Sequence, residues 1–245
     1  MTVITSRLLA RTGFIHGFGT RHAVEGDIPS DVHVLRQVHG ERIVCLAEGA
    51  TRGQSAKGKV QGEDPNLVFR GLPEEPFRFD RGDALVTAIP GIALGIRTAD
   101  CLPVLAGDPS TGMAAAVHCG WRSLALDLPG KVIRLMVEEW GASGEDLVAA
   151  LGPSISTCCY EVGPEVIDLF RGYDTGGKPY DIRDDRYYLD LRSITRCQLL
   201  MAGMDPDNID DLRECVACRP ERFHSHRGKR SEERMLSYIR SMEKR

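Results

Sequence analysis

Three short segments carry residue types that do metal or nucleophilic chemistry: Arg36-Gln37-Val38-His39-Gly40, Thr98-Ala99-Asp100-Cys101-Leu102-Pro103 and Ala116-Val117-His118-Cys119-Gly120-Trp121-Arg122. Cys101 and His118 each end a strand-like run, and the turn sequence Gly-Asp-Pro-Ser-Thr-Gly lies between them. A hairpin there can bring the two side chains together. A thiolate and an imidazole on one cleft suit two chemistries. One is zinc binding, in which thiolate and neutral imidazoles make a three-ligand site with one open position. The other is a Cys-His dyad, in which the imidazole draws the thiol proton. His39 decides between them, because a dyad needs only one imidazole. Zinc would bring the pKa of a bound water to ~7. The competing readings are plain ones: a strand cysteine is commonly a small core residue, and Gln-Val-His-Gly also reads as a turn.

Stepping along the chain, short apolar runs at 84–89, 92–98, 103–106 and 113–118 read as buried strands, the first two flanking a Pro90-Gly91 turn. Helical spacing of Val132, Leu135, Met136 and Trp140 predicts a helix over 131–140, with Gly141 suited to the position after its end. Residues 148–151 read as a strand, 164–170 as a short helix and 191–202 as another helix closed by Gly203. Residues 235–239 fit a strand or a helix. Hairpin-length turns between strands favour a mixed β-sheet with flanking helices, in one domain over 1–245, rather than a doubly wound parallel fold. Residues 51–82, rich in Gly, Pro and charge, read as a long loop excursion.

Other candidates carry less. Cys215-x-x-Cys218 has zinc-knuckle or redox spacing but lacks a second pair at matching spacing, and Cys158 and Cys159 are adjacent. His224 and His226 alternate and can share one strand face. Arg227, Lys229 and Arg230 form a basic cluster able to hold phosphate. Asp83 and Asp100 stand near strand ends as general acid or base, as partners of a ligand histidine, or as turn caps.

The 245 residues allow a core that buries roughly three quarters of the unfolded surface. A net charge of −4 gives no basic excess, which argues against nucleic acid or an anionic membrane as partner. No apolar stretch approaches the ~18 residues of a membrane span. The N-terminus lacks the apolar core of a secretory signal, so a cytoplasmic protein with free or metal-bound thiols is expected.

The blocks RQVHG, GDALVT, RTADCLPVL, AAAVHCGWRS and LGPSISTCCYEVGPEV resemble the signatures of the laccase-domain proteins. These were first described as multicopper polyphenol oxidases. They are now regarded as zinc-dependent purine nucleoside phosphorylases with adenosine deaminase and methylthioadenosine phosphorylase activity, and some are called peptidoglycan-editing factors. The resemblance runs from His16 to Arg227 and implies an α/β sandwich with a purine nucleoside pocket. It implies that His39, Cys101 and His118 hold zinc, that Asp83 shapes the pocket as a candidate catalytic residue, and that Phe223 and Arg227 lie near it. Arg21 and Arg122 join them as candidate substrate-binding residues. The implied partners are purine nucleoside and phosphate.

The chain departs from the pattern between HGFGTR and QVHG, where about fourteen residues replace a longer segment carrying an arginine thought to hold phosphate. Arg21, Arg36 and the cluster near Arg227 are the available substitutes. GWRS and FHSHR replace GWRG and FFSYR. Three rival functions stay open: a hydrolase with Cys101 as nucleophile and His118 as base, a copper-dependent polyphenol oxidase, and a non-catalytic envelope-linked factor. Copper fits poorly, because multicopper oxidases need more than the seven histidines present.

Overall fold

The computed structural model describes residues 2–48, 65–71 and 81–242. Among the described residues fifteen strands form three sheets. The five-stranded sheet holds β1 (Val3–Ile4), β2 (Ile15–Gly19), β3 (His33–Val34), β7 (Ala93–Thr98) and β15 (Met235–Arg240), in the order β1-β2-β15-β7-β3. The seven-stranded sheet holds β4 (Ile43–Leu46), β5 (Leu67–Arg70), β6 (Ala84–Thr87), β8 (Leu102–Gly107), β9 (Ala114–Cys119), β10 (Val148–Leu151) and β14 (Ile209–Asp211), in the order β14-β10-β8-β9-β6-β4-β5. A small third sheet joins β11 (Glu161–Val162), β12 (Tyr180–Arg183) and β13 (Arg186–Leu189).

Parallel pairs (β4 with β5 and β6, β3 with β7, β10 with β14) coexist with antiparallel ones, so both large sheets are mixed. The two large sheets face each other through β7, β8, β9 and β15. The outer face of the seven-stranded sheet is covered by α2 (Trp121–Ala125), α3 (Leu128–Trp140) and α5 (Leu191–Met201). Strands β8 and β9 are therefore buried from both sides along their whole length, which is why their sequences are apolar without alternation. Three shorter helices are α1 (Arg7–Arg11), α4 (Pro164–Asp168) and α6 (His226–Lys229). Among the described residues no helix is long and apolar enough to cross a membrane.

The hairpin that positions the site is closed by a side-chain-locked turn. The buried Asp108 accepts from the Ser110 amide at 2.8 Å, the Ser110 hydroxyl at 2.7 Å and the Thr111 hydroxyl at 2.8 Å. Gly112 completes it at φ 77°. An Asp at the start of this six-residue turn satisfies an amide and two hydroxyls that the reversal would leave without strand partners. Helix α3 begins at Leu128, earlier than the apolar spacing predicts, because Pro129 is tolerated in a first turn. It ends as predicted at Gly141, whose amide donates to the Val137 carbonyl at 3.0 Å and whose φ of 74° turns the Ala142 amide onto the Met136 carbonyl at 3.2 Å.

Several expectations need correction. The Pro90-Gly91 turn does separate two strands, but β6 lies in one large sheet and β7 in the other, so the turn crosses the sandwich. The excursion at 51–82 is not all loop, since β5 pairs in parallel with β4 at the sheet edge. The remainder of that excursion, apart from 65–71 and 81–82, lies outside the described residues. The C-terminal run is a strand in the middle of the five-stranded sheet, between β2 and β7. His224 and His226 do not share a strand face. His226 opens α6, whereas the His224 ring contacts Ser231 at 3.1 Å and Glu233 at 3.2 Å.

Candidate metal centre and its cavity

One end of the central strands of the seven-stranded sheet collects the site. Antiparallel pairing sets Pro103 opposite His118 and Leu102 opposite Cys119, so Cys101, one residue before β8, lies beside the end of β9. Asp83 immediately precedes β6, and its carbonyl accepts the His118 amide at 2.8 Å. His39 comes from the turn between β3 and β4, at φ 57°.

The three predicted ligands meet. One donor atom each of His39, Cys101 and His118 lies within 4.8 Å of the other two. The imidazole rings stand edge to face with centroids 4.9 Å apart. His118 is buried, Cys101 half-buried and His39 exposed, so the trio opens to one side.

Asp83 organises this trio from below. It is fully buried and does not line the cavity above. One carboxylate oxygen pairs with His118 Nδ1 at 2.9 Å and accepts the His39 amide at 2.9 Å; the other accepts the Gly40 amide at 2.8 Å. The carboxylate thus fixes the His118 ring, leaving Nε2 for the site, and folds the turn that presents His39. Burial alone would raise the Asp83 carboxyl, but the His118 hydrogen bond and the Gly40 amide outweigh it and hold it below the usual range.

The electrostatics favour an ionised Cys101–His118 pair. Burial pushes the Cys101 thiol up, yet the charge and hydrogen bond of His118, followed by those of His39, bring it down to about 6. Burial pushes His118 down, and the Cys101 thiolate with Asp83 overcomes this, raising it to about 9. Without metal, thiolate and imidazolium coexist near neutral pH. Two imidazoles and a thiolate facing one open side match a catalytic zinc set of three protein donors.

The trio forms the floor of a cavity of about 590 Å³. Its wall carries Arg36, Arg97, Arg122, Arg227 and Arg234, together with Tyr160. The Arg122 guanidinium stacks on Trp121, 4.2 Å from the ring centroid. Arg227 lies 5.4 Å from the Tyr160 ring, donates to the Glu161 carbonyl at 3.0 Å, and its amide donates to Asp100 at 2.8 Å. Asp100, at φ 124°, also accepts from Ser225 at 2.5 Å and ties α6 to the Cys101 turn. Burial keeps the Tyr160 phenol well above its usual value, so it remains a donor.

Of the other residues named from the sequence, Arg122 and Arg227 line the cavity. Arg21 does not: its guanidinium reaches the Pro220 carbonyl and its amide the Arg222 carbonyl. Phe223 is a fully buried core residue under Arg222. Sequence reasoning passed over Tyr160, Arg97 and Arg234: the first two stand within the family blocks without a mark of their own, and only the fold brings all three to one wall. It also judged Cys158, Cys159, Cys215 and Cys218 separately, although their sulfur atoms all lie within 4.8 Å of one another.

Comparisons with known proteins agree with this fold. The structure of YlmD from Geobacillus stearothermophilus superposes with a TM-score of 0.76 at 25% identity, covering 97% of this chain and 94% of that one. A purine nucleoside phosphorylase of Xylella fastidiosa is 33% identical over 202 residues, 82% of this chain and 68% of the relative. Adenosine deaminase RL5, from an unknown prokaryotic organism, is 35% identical over 167 residues, 65% of this chain and 62% of the relative. The chain spans about half the length of several other curated relatives, 55% in each case. The family model described as multi-copper polyphenol oxidoreductase laccase matches residues 20–242, and the chain belongs to that family.

Proposed function

We propose that this chain is a zinc-dependent purine nucleoside phosphorylase, acting on adenosine, inosine and methylthioadenosine, with adenosine deamination as a second reaction of the same cavity. The observation that carries the reading is the Asp83-anchored trio at the floor of a cavity walled by five arginines. The names of the phosphorylase and deaminase relatives support the substrate class. Zinc held by His39, Cys101 and His118 would supply Lewis acidity and an acidified water.

The protein's own groups do the rest. In phosphorolysis a phosphate oxygen bonds to ribose C1′ as the C1′–N9 bond breaks, and the base leaves with that electron pair and accepts a proton. The cavity arginines bind the phosphate; Arg36, Arg122 and Arg227 take the place of the arginine missing from the short N-terminal interval. Tyr160, kept protonated, donates a hydrogen bond at the wall. Asp83 holds the Nδ1 proton of His118 and does not itself meet substrate.

Copper-dependent phenol oxidation finds less support, since among the described residues no methionine lines the cavity to serve as the weak axial ligand of a His₂Cys copper site. The test is chromatographic product analysis of adenosine incubated with zinc-analysed protein, with and without phosphate. Adenine and ribose 1-phosphate, only with phosphate, are expected. Inosine alone in both conditions would leave deamination as the reaction. Turnover by metal-free protein, abolished by alkylation of Cys101, would replace the zinc reading with the Cys-His hydrolase.

A further inference from the structure

We propose that Cys158, Cys159, Cys215 and Cys218 form a second metal site, a tetrathiolate that holds zinc structurally and clamps two segments of the cavity wall together. It does not depend on the function proposed for the first site.

Two distant parts of the chain supply the sulfurs. Cys158 and Cys159 lie in the turn following β10, and Cys215 and Cys218 in the turn following β14. The backbone stitches these turns side by side: the Ser154 amide donates to the Glu214 carbonyl at 3.1 Å, and the Val216 amide to the Ser154 carbonyl at 3.1 Å. Cys158 and Cys159 Sγ each lie 3.4 Å from Cys218 Sγ, and all four sulfurs fall within 4.8 Å of one another. Four thiolates at 2.3 Å from one zinc ion are about 3.8 Å apart, so the cluster needs only small shifts to close on a metal. A cysteine that merely packs turns its sulfur to carbon; here four sulfurs turn to each other.

The surroundings of Cys215 favour a thiolate. Main-chain amides of Ser156, Ala217 and Cys218 point at the Cys215 sulfur. Such donors stabilise a thiolate where the Cys-x-x-Cys turn reverses. The Arg183 guanidinium donates to the Thr157 carbonyl, next to Cys158. Two of the four cysteines are exposed, so the ion can be loaded from solvent.

The consequence reaches the cavity. Tyr160 follows Cys159 directly, and the segment after Cys218 runs on to His226 and Arg227. The stack of Arg227 on Tyr160 joins residues that the clamp would hold in register.

The test uses the full chain with His39 and His118 both changed to Ala, which empties the first site. Zinc content, measured after dialysis, is expected at one per chain, and at zero when Cys158→Ser and Cys218→Ser are added. With cobalt in place of zinc, the intense thiolate charge-transfer bands of a tetrahedral tetrathiolate are expected. Because those serines can impair folding, the unmutated protein gives a second reading. Titration with an organic mercurial should release two zinc ions per chain, and slow hydrogen exchange over 153–162 and 214–227 should be lost with the metal. A folded His39→Ala/His118→Ala protein without zinc would overturn the site. So would a Cys158–Cys218 or Cys159–Cys218 disulfide in protein purified with the metal present. A two-zinc wild type without nucleoside turnover would leave the clamp standing and sink the proposed function instead.

Discussion

Asp83 Oδ1 and His118 Nδ1 lie 2.9 Å apart with neither side chain open to solvent, and the same carboxylate holds the amides of His39 and Gly40. One buried group therefore sets the orientation of one ligand and the backbone of another. Asp83→Asn keeps the shape but replaces an acceptor oxygen with a donor facing donors. Metal affinity, read by competition with a chromophoric chelator, should fall roughly 10–100-fold, the usual cost of losing such a supporting partner. Asp83→Ala should in addition destabilise the metal-free fold by about 3–5 kcal/mol in urea melts, as when one partner of a buried pair is removed. Wild-type metal affinity in Asp83→Asn would show that the carboxylate only holds the turn.

Proton release on metal binding tests the ionisation of Cys101 and His118. Cys101, brought down to about 6, is already a thiolate at neutral pH, while His118, raised to about 9, still carries its extra proton. Ligands bind deprotonated. Between those two values zinc should displace about one proton, that of His118. Below about 6 the number should rise as Cys101 also gives up a proton, and above about 9 it should fall towards zero. Calorimetry in buffers of different ionisation enthalpy reads this number, best with Cys158→Ser/Cys218→Ser in the background so that one site reports. Two protons at neutral pH would mean that Cys101 enters as a thiol.

Gly120, the residue that caps α2, is a packing constraint on the site. A Cβ there would stand 3.1 Å from Cys101 Sγ and 3.3 Å from His39 Nδ1. Its φ of −87° and ψ of 166° suit any residue, so Gly120→Ala is not a backbone problem. The thermal transition of the metal-free protein should hardly move, while metal affinity drops roughly tenfold or more because the ligands are pushed off their geometry. Equal loss of stability and affinity would mean that the strain falls on the fold.

How much of this was legible in the chain depends on whether a residue acts through its neighbours in sequence or in space. Cys101 and His118 were legible because a six-residue turn and two apolar strands bring them together, and such local pairing follows from hairpin rules. His39 was not, on residues alone; it arrives from a turn whose conformation is held by Asp83, forty-odd positions away, and only the family resemblance named it. Unbroken apolar runs show that strands exist but not which strands they pair with: the Pro90-Gly91 turn is legible, whereas its crossing from one sheet to the other is not. The short strands β11 to β13 carry half-exposed, charged residues without a buried face to set a period. The cysteines failed for the same reason as the cavity arginines: Cys158-Cys159 and Cys215-x-x-Cys218 have no shared spacing, and only parallel pairing of Ser154 with Cys215 unites them.

Arg122 and Arg227 line one cavity but are held differently, and that difference makes a test of the phosphate site. Arg122 lies flat on Trp121, whereas Arg227 is anchored through its backbone to Asp100 and through its guanidinium to the Glu161 carbonyl. If both meet the phosphate, each substitution to Ala removes a charge-assisted hydrogen bond of about 1.5–3 kcal/mol, or roughly 10–100-fold in the KM for phosphate. Substitution by Lys should recover part of that loss at Arg122, where charge near the cavity suffices. At Arg227 it should recover little, since Lys cannot keep both the carbonyl contact and the Tyr160 stack. Steady-state kinetics with each substrate varied in turn reads the outcome. A rise in the KM for nucleoside with that for phosphate unchanged would move these arginines to the sugar or base, and leave Arg36, Arg97 and Arg234 as the groups that hold the anion.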